Sequence, residues 1–197
     1  KEGRELSYAI DFDRLEALAS DPKNTLLILC NPHNPVGRVW TRQELLMVSQ
    51  ICLRHHVFVI SDEIHCDLIM PGHTFTSFAS LSEENAANTM TCIAPSKTFN
   101  LAGLEASCVI LPDRERRRRL KAEMSRVSYE GRVNALGYKA MEAAYTRCDQ
   151  WLSQAIQVIH TNHHLLTEFL KEHCPDVKAA PLEGTYLQWL DLRALGW

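Results

Sequence analysis

Buried-strand runs alternate with helix-forming segments through the first half of the chain, and this alternation restricts the possible folds more than any other feature. LLILC at 26–30 is an unbroken apolar run with the length of a strand buried on both faces. Residues 41–54 have helical periodicity and begin with the T-x-x-E spacing of a capping box. Further strands are predicted for VFVI at 57–60, MTCIA at 90–94 and SCVILP at 107–112. We therefore predict an α/β protein with a mainly parallel sheet and helices on both faces.

The second half of the chain is predominantly helical until Pro175. Helices are predicted over 114–128, 134–147 and 149–173. After Pro175, apolar and polar residues alternate around a glycine turn, which is typical of an antiparallel hairpin or meander. We predict that residues 1–148 belong to a large domain, that 149–174 form a long interdomain helix, and that 175–197 begin a smaller α+β domain.

Charge and hydropathy argue against two classes of partner. Lysine and arginine number 21 against 24 aspartates and glutamates, so the net charge of -3 gives no overall attraction to nucleic acid or to an anionic membrane. The basic stretch DRERRRRLKAEMSR lacks interleaved aromatic residues, and we interpret it as a solvated helix face. The sequence also has no apolar run of about 18 residues, the length that spans a membrane. We predict neither nucleic acid nor a membrane as a partner.

The seven cysteines are widely spaced and form no C-x-x-C pair. This pattern favours reduced thiols in a cytoplasmic protein over a disulfide framework or a zinc site. The chain starts without methionine, and it stops just after LDLRALGW. We expect it to be a piece of a longer protein.

Asn34, Asp62 and Lys97 each follow a predicted buried strand. In open α/β sheets, ligands bind at the carboxyl ends of the strands. The three residues are separated by 28 and 35 positions, about one β-α-β unit of roughly 30 residues each, so the three strand ends can lie side by side. An amide, a carboxylate and an amine at one edge suit pyridoxal phosphate, whose enzymes supply a Schiff-base lysine and an acidic partner for the pyridinium nitrogen.

The motifs around these residues strengthen that interpretation. NPHNPVGRVW, SDEIHCD and APSKTFNLAGLEAS, in this order and spacing, resemble the fold-type I pyridoxal-phosphate enzymes, and most closely the MalY/PatB branch of C-S lyases. The similarity extends to GTYLQWLD near the end of the chain. The resemblance implies a transferase-like large domain, pyridoxal 5'-phosphate as cofactor, an amino-acid substrate, and a homodimer with active sites at the subunit interface.

The resemblance also implies a role for each matching residue. Lys97 would carry the cofactor as a Schiff base, Asp62 would pair with the pyridinium nitrogen, and Asn34 would donate to the phenolic oxygen. His65 occupies the position where many relatives have a tyrosine near that oxygen. Ser96 is implied as a phosphate contact.

Two positions depart from the family pattern at the phosphate. Ala94 stands where relatives often have a phosphate-binding serine, and Glu105 lies near where aminotransferases often have a phosphate-binding arginine. NPVG replaces the commoner NPTG. The resemblance places the cofactor-stacking aromatic residue and a phosphate loop before residue 1, and the arginine for the substrate carboxylate after residue 197.

We therefore predict a C-S β-lyase that acts on cystathionine or a related cysteine S-conjugate and releases a thiol, pyruvate and ammonia. An aminotransferase shares the steps up to the substrate carbanion, and a catalytically incomplete fragment is a third possibility. Singly, Asn34 is explained as a turn, Asp62 as a helix cap and Lys97 as a loop lysine. Three motifs in register favour one shared site.

Two histidine-containing segments raise the question of a metal, and we predict none. SDEIHCD contains acids and one histidine but no second histidine at ligand spacing. His160, His163 and His164 have helical spacing, and we interpret them as an exposed polar helix face.

Overall fold

The computed structural model describes residues 6–127, 129 and 134–196. Its main sheet has four strands in the order β1-β2-β3-β4. The strands are β1 (Leu26–Cys30), β2 (Phe58–Asp62), β3 (Thr89–Ile93) and β4 (Cys108–Ile110). The first three are parallel, which confirms the predicted α/β class with a mainly parallel sheet. The fourth is shorter than the predicted 107–112 and runs antiparallel to β3.

Helices connect and flank these strands. Those of the described residues are α1 (Phe12–Ala19), α2 (Arg42–Arg54), α3 (Glu83–Ala87), α4 (Pro95–Thr98), α5 (Arg114–Arg126), α6 (Ala135–Arg147) and α7 (Asp149–His173). The sequence reasoning missed α1, where Asp11 caps the helix by accepting a hydrogen bond from Arg14 N at 2.8 Å. The predicted helix over 114–128 ends at Arg126, and Ser128 lies outside the described residues. None of the described helices has the length and apolarity needed to cross a bilayer.

The capping box predicted at the start of α2 is confirmed. Thr41 Oγ1 accepts a hydrogen bond from Glu44 N at 3.2 Å, and the Glu44 carboxylate accepts one from Thr41 N at 2.8 Å. The apolar side of α2 then packs against one face of the sheet. The core there includes Leu29, Leu45, Val48, Ile51, Cys52 and Val59. Since burying one such side chain stabilises a fold by about 1.5–3 kcal/mol, this packing holds the strands firmly in place.

The opposite face of the sheet is less covered. The guanidinium of Arg116 in α5 lies over the ring of Phe58, 4.3 Å from its centroid. Leu26, Ile28 and Val109 remain exposed. No residue of α5 is buried, so the prediction of a solvated helix for the basic stretch is confirmed.

The C-terminal segment contains the predicted antiparallel pair, β5 (Lys178–Ala179) and β6 (Leu190–Asp191). Gly184, however, is not the turn of a simple hairpin, because it bridges to Ile69. Its backbone N–H donates to Gly37 O at 2.9 Å, so this segment packs on the loop between β1 and α2. The predicted antiparallel pairing is confirmed, and these backbone contacts across the chain explain why Gly184 is not a simple turn between the two strands. The proposed domain boundaries stay a prediction.

Candidate functional site

The strand register brings the predicted site residues to one edge of the sheet. Cys30 pairs with Asp62, and Asp62 pairs with Cys92, so the carboxyl ends of β1, β2 and β3 lie side by side. Neighbouring strands are about 4.8 Å apart, so the three ends span about 10 Å. Asp62 is the last residue of its strand, not the residue after it, because β2 extends beyond the predicted 57–60.

The loop after β1 presents Asn34 at this edge. The loop is fixed by Asn31, which is fully buried, donates to Thr76 O at 3.1 Å and accepts from Trp40 N at 3.2 Å. The backbone N–H of Asn34 donates to Cys30 Sγ at 3.5 Å. The side-chain amide of Asn34 is exposed and forms no hydrogen bond with any described residue. The hydrogen bonds of Asn31 hold the loop, so the Asn34 amide remains accessible to a ligand.

Two adjacent carboxylates at the end of β2 have different surroundings. Glu63 is 2% exposed, and burial, opposed by its hydrogen bonds, raises its pKa. Its Oε1 accepts hydrogen bonds from Ser61 Oγ at 2.8 Å, Ser77 Oγ at 3.2 Å and Phe78 N at 2.9 Å. Asp62 accepts from Ile64 N at 3.3 Å, and no basic side chain within the described ranges forms an ion pair with it. Glu63 therefore ties loops together, while Asp62 keeps acceptor capacity for a ligand.

The contact from Ile64 to Asp62 begins a turn, because residues 64–67 are not helical. The alternative that Asp62 only caps a following helix is therefore wrong. An Asx-type contact of this kind occupies one carboxylate oxygen and leaves the other one free for a second partner.

His65 lies in the turn that follows β2. It is 2% exposed, and neither ring nitrogen has a hydrogen-bond partner among the described residues. Burial, and next the charge of Lys97, lower the pKa of His65, while the charge of Asp62 opposes the shift. A buried polar group without a partner costs about 1–3 kcal/mol. His65 therefore offers a neutral imidazole with unsatisfied nitrogens beside both Lys97 and Asp62.

Lys97 lies on the short helix α4 and is partly buried, so it is not an exposed loop lysine. The helix is anchored to the loop after β2, since Thr98 Oγ1 donates to Asp67 Oδ2 at 3.1 Å. Lys97 lines an open pocket of about 280 Å³. The other lining residues are Leu68, Thr98, Asn100, Trp151, Ala155, Ile159 and Tyr186. An amine thus faces a pocket with apolar and aromatic walls.

Tyr186 is a site residue that the sequence reasoning missed. Its ring meets the ring of His65 edge to face with centroids 5.6 Å apart, and it shares the Lys97 pocket. The preceding Thr185 is fully buried with φ +69°, a strained conformation for a β-branched residue. GTYLQWLD was noted only as part of the resemblance, because an aromatic residue in a strand-like pattern usually indicates packing.

The contacts of the cofactor phosphate stay a prediction. Ser96 is next to Lys97 on α4, and its carbonyl accepts from Leu101 N at 3.1 Å. Ala94 is buried, and Glu105 is exposed at φ +52° where a short 3-10 turn ends. Neither offers a donor to an anion, so Ser96 is left as the candidate from the sequence.

The SDEIHCD segment does not gather its ligand-type side chains around one point. Glu63 is held by its three donors, and Asp67 accepts from Thr98. Burial raises the pKa of Cys66 to about 12. Within the ranges that the structure describes, no three His, Cys, Asp or Glu side chains form a group that could hold a metal ion.

Comparison with protein families adds independent information. The family model described as aminotransferase class I and II matches residues 4–195. Cystathionine beta-lyase PatB of Bacillus subtilis (strain 168) is 49% identical to this chain over 190 residues, which cover 96% of this chain and 49% of PatB. The chain spans about half the length of this curated relative.

Solved structures agree with these matches. Cystalysin from Treponema denticola, solved with its pyridoxal 5'-phosphate cofactor, has a TM-score of 0.93 and 45% identity, covering 98% of this chain and 50% of cystalysin. N-succinyldiaminopimelate aminotransferase from Mycobacterium tuberculosis has a TM-score of 0.83 and 26% identity, covering 100% of this chain and 49% of that enzyme. Lyases and aminotransferases thus share this fold.

Proposed function

Because the chain belongs to the aminotransferase class I and II family, we propose that it forms the central part of a pyridoxal-phosphate-dependent C-S β-lyase. The substrate would be cystathionine or a related cysteine S-conjugate, and the products a thiol, pyruvate and ammonia. The observation that carries the proposal is that Asp62 and His65, at the end of β2, and Lys97, after β3, follow neighbouring parallel strands at one edge of the sheet. The similarity to PatB and to cystalysin supports the choice of a lyase.

The side chains at this edge fit the functional groups of pyridoxal phosphate. Lys97 would supply the amine for the aldehyde carbon, and Asp62 would supply an acceptor for the protonated ring nitrogen. The accessible amide of Asn34 and the buried, unpartnered nitrogens of His65 suit the phenolic oxygen. Ser96 is the proposed contact for the phosphate group.

Each residue then has a chemical task. Bound pyridoxal phosphate withdraws electrons from the substrate Cα, which makes the α-proton acidic. The Asp62 carboxylate holds the proton on the ring nitrogen and so maintains that withdrawal. Lys97 would take the α-proton of the substrate at Nζ. The electron pair left at Cα would expel the sulfur from Cβ as a thiolate, and the thiolate would take the proton from Lys97 Nζ to leave as a thiol. Water would hydrolyse the remaining three-carbon enamine to pyruvate and ammonia.

The pocket beside Lys97 is proposed to receive the substituent on sulfur. Leu68, Trp151, Ile159 and Tyr186 give this pocket apolar and aromatic walls. Such walls favour an uncharged thioether chain over a charged one, because a charge placed there loses its hydration. We therefore expect S-alkyl and S-benzyl cysteine to be turned over more efficiently than cystathionine, whose substituent on sulfur ends in an ammonium and a carboxylate.

An aminotransferase is the second candidate, and the fold shared with N-succinyldiaminopimelate aminotransferase supports it. Both reactions use the same tasks of Asp62 and Lys97 until the α-proton has left. They differ in their products, since an aminotransferase releases a keto acid that keeps the sulfur. Incubating the whole protein with cystathionine and assaying pyruvate, free thiol and keto acid separates the two candidates.

The lysine assignment has its own experiment. Reduction of the whole protein with borohydride in the presence of pyridoxal phosphate should modify Lys97, and peptide mass spectrometry locates the label. Lys121 on the solvated helix α5 serves as an internal control that should remain unmodified. A label that excludes Lys97 would remove the basis of the proposed site.

We further propose that turnover requires more than these 197 residues. The relatives are about twice as long, and the sheet leaves Leu26, Ile28 and Val109 exposed on one face. A homodimer in the cytoplasm is the expected state of the whole enzyme, and the seven free thiols are compatible with a reducing compartment. The isolated chain should bind pyridoxal phosphate weakly and form no pyruvate.

A further inference from the structure

Helix α7 brings two histidine side chains together away from the Lys97 site. Nε2 of His160 and Nε2 of His164 are 3.2 Å apart, and the rings meet edge to face with centroids 4.4 Å apart. His164 is exposed and His160 is half-buried. We propose that His160 and His164 form a surface chelate for one divalent transition-metal ion of the Ni²⁺, Cu²⁺ or Zn²⁺ type.

The spacing of the pair suits a shared ion. Residues four apart on a helix lie on one face, and two histidines with this spacing are the helical zinc ligands of H-E-x-x-H enzymes. A metal–imidazole bond is about 2.0–2.1 Å long, so two nitrogens 3.2 Å apart subtend about 100° at the metal. That angle lies between the octahedral and the tetrahedral value. At this separation both nitrogens can reach one ion once the two rings turn toward it.

The surroundings favour binding without catalysis. Glu168 lies one turn further along α7, and its hydrogen bond with Lys171 is the main cause of its lowered pKa, with His164 contributing least. Its carboxylate is therefore already paired with Lys171, and the binding groups of the site are the two imidazoles. Thr161 stands where the H-E-x-x-H enzymes have their glutamate base. The site therefore offers two imidazoles with water as the remaining ligands, and no group to activate that water.

A hydrogen bond between the two rings is the competing explanation, since one ring N–H can donate to the other ring's lone pair at this distance. That explanation predicts no saturable metal binding. The neighbouring His163 provides a matched control, because its Nδ1 is engaged by Gln188 Oε1. It has the same chemistry on the same helix, but its ring centroid is 5.7 Å from that of His164, compared with 4.4 Å for His160.

The test is a titration of the protein with Ni²⁺ by calorimetry, with pyridoxal phosphate present throughout. We expect one ion per chain with micromolar affinity, weakened at least about tenfold by His160→Gln and by His164→Gln, and unchanged by His163→Gln. Saturating Ni²⁺ should also raise the Tm of the wild type but not that of the two pair variants.

Equal Ni²⁺ affinity in the wild type and all three variants, or no saturable binding in the wild type, would overturn the chelate. Loss of Ni²⁺ affinity with His163→Gln alone would show that the ion binds at another site, and this result would also overturn the chelate. None of these outcomes bears on the lyase proposal, because the pair lies outside the Lys97 pocket.

Discussion

Helices α2 and α7 are both amphipathic, but the described residues cover them very differently. Of the 13 residues of α2, five are buried, whereas Leu170 is the one buried residue among the 25 of α7. The apolar side of α2 meets the sheet, while Val158, Leu165 and Phe169 of α7 remain exposed. Amphipathic periodicity therefore predicts a helix, but it does not tell what covers the apolar side.

This difference extends to function. Packing of α2 on the sheet fixes the ends of β1 and β2, and these ends hold Asn34 and Asp62. Helix α7 reaches the proposed site only with its first turns, through Trp151 and Ile159 in the Lys97 pocket. Further along, it displays His160 and His164. Helix α2 therefore stabilises the strand ends that carry the site residues, which we call the frame of the site. Helix α7 contributes one wall of the Lys97 pocket and an exposed surface.

Leu45→Ala and Leu165→Ala test the comparison most strongly. Leu45 is 0% exposed, so its truncation leaves a cavity and should lower the free energy of unfolding by about 2–5 kcal/mol. Leu165 is 65% exposed, and its truncation should cost about 0.5 kcal/mol or less. Urea denaturation of the 197-residue chain measures both changes. Equal losses would show that the outer side of α7 is covered in solution.

Asp62→Asn tests whether the strand end that α2 stabilises carries a residue needed for catalysis. The neutral amide no longer keeps the proton on the ring nitrogen, so kcat of the whole protein should fall at least about a hundredfold with the fold retained. Glu63→Gln is the adjacent control. It keeps an oxygen for the three donors and should leave kcat within a few-fold of wild type. If both variants lose activity equally, the separation of roles between the two carboxylates is wrong.

Local patterns account for the part of the fold that sequence reasoning predicted. The apolar run of β1 and the capping box of α2 are confirmed with their predicted positions, and α7 ends before Pro175 as expected. Strand direction is not encoded locally, so the antiparallel β4 could be placed as a strand but not oriented. Helix α1 was missed because its segment has only eight residues, although Phe12, Leu15 and Ala19 have helical spacing.

The same distinction applies to the site. Asp62 and Lys97 could be predicted because each follows a strand-like run, and the sheet then aligns the strand ends. Tyr186 could not, because its position depends on contacts between distant parts of the chain. The segment before it is held by Glu183, whose Oε2 accepts from Arg38 Nε at 2.9 Å across 145 residues of sequence. Periodicity carries no information about such a contact.

Gly184→Ala tests this long-range connection. An added Cβ would lie 2.7 Å from Val39 Cγ2 and 3.0 Å from Pro32 Cβ, so the segment must shift. We expect a loss of about 1–3 kcal/mol in the free energy of unfolding. Gly103→Ala is the control, since a Cβ there meets nothing within 4 Å, and it should be close to neutral. A neutral Gly184→Ala would mean that the C-terminal segment is not seated on the loop after β1.

The smallest expected effect is the change in stability on protonation of His65, a buried residue of the proposed site. Burial and the charge of Lys97 lower the pKa of His65 in the folded protein, whereas an unfolded histidine titrates near 6.5. Between these two values the unfolded state binds more protons, so this residue makes stability decrease as the pH falls through about 6.5. The groups that face it are Lys97, Asp62 and the ring of Tyr186. His65→Gln removes the titration and nothing else that is charged.

The stability of the wild type relative to His65→Gln should therefore decrease when the pH is lowered from about 7.5 to 5.5, by no more than about 1.4 kcal/mol per pH unit. Urea denaturation of the cofactor-free protein at both pH values gives the difference, and contributions of the other titrating groups cancel between the two proteins. A difference that stays constant would mean that His65 titrates alike in both states. If the wild type instead becomes more stable relative to His65→Gln on acidification, the folded protein stabilises the imidazolium. Asp62 would then outweigh burial and Lys97 in setting the charge of His65.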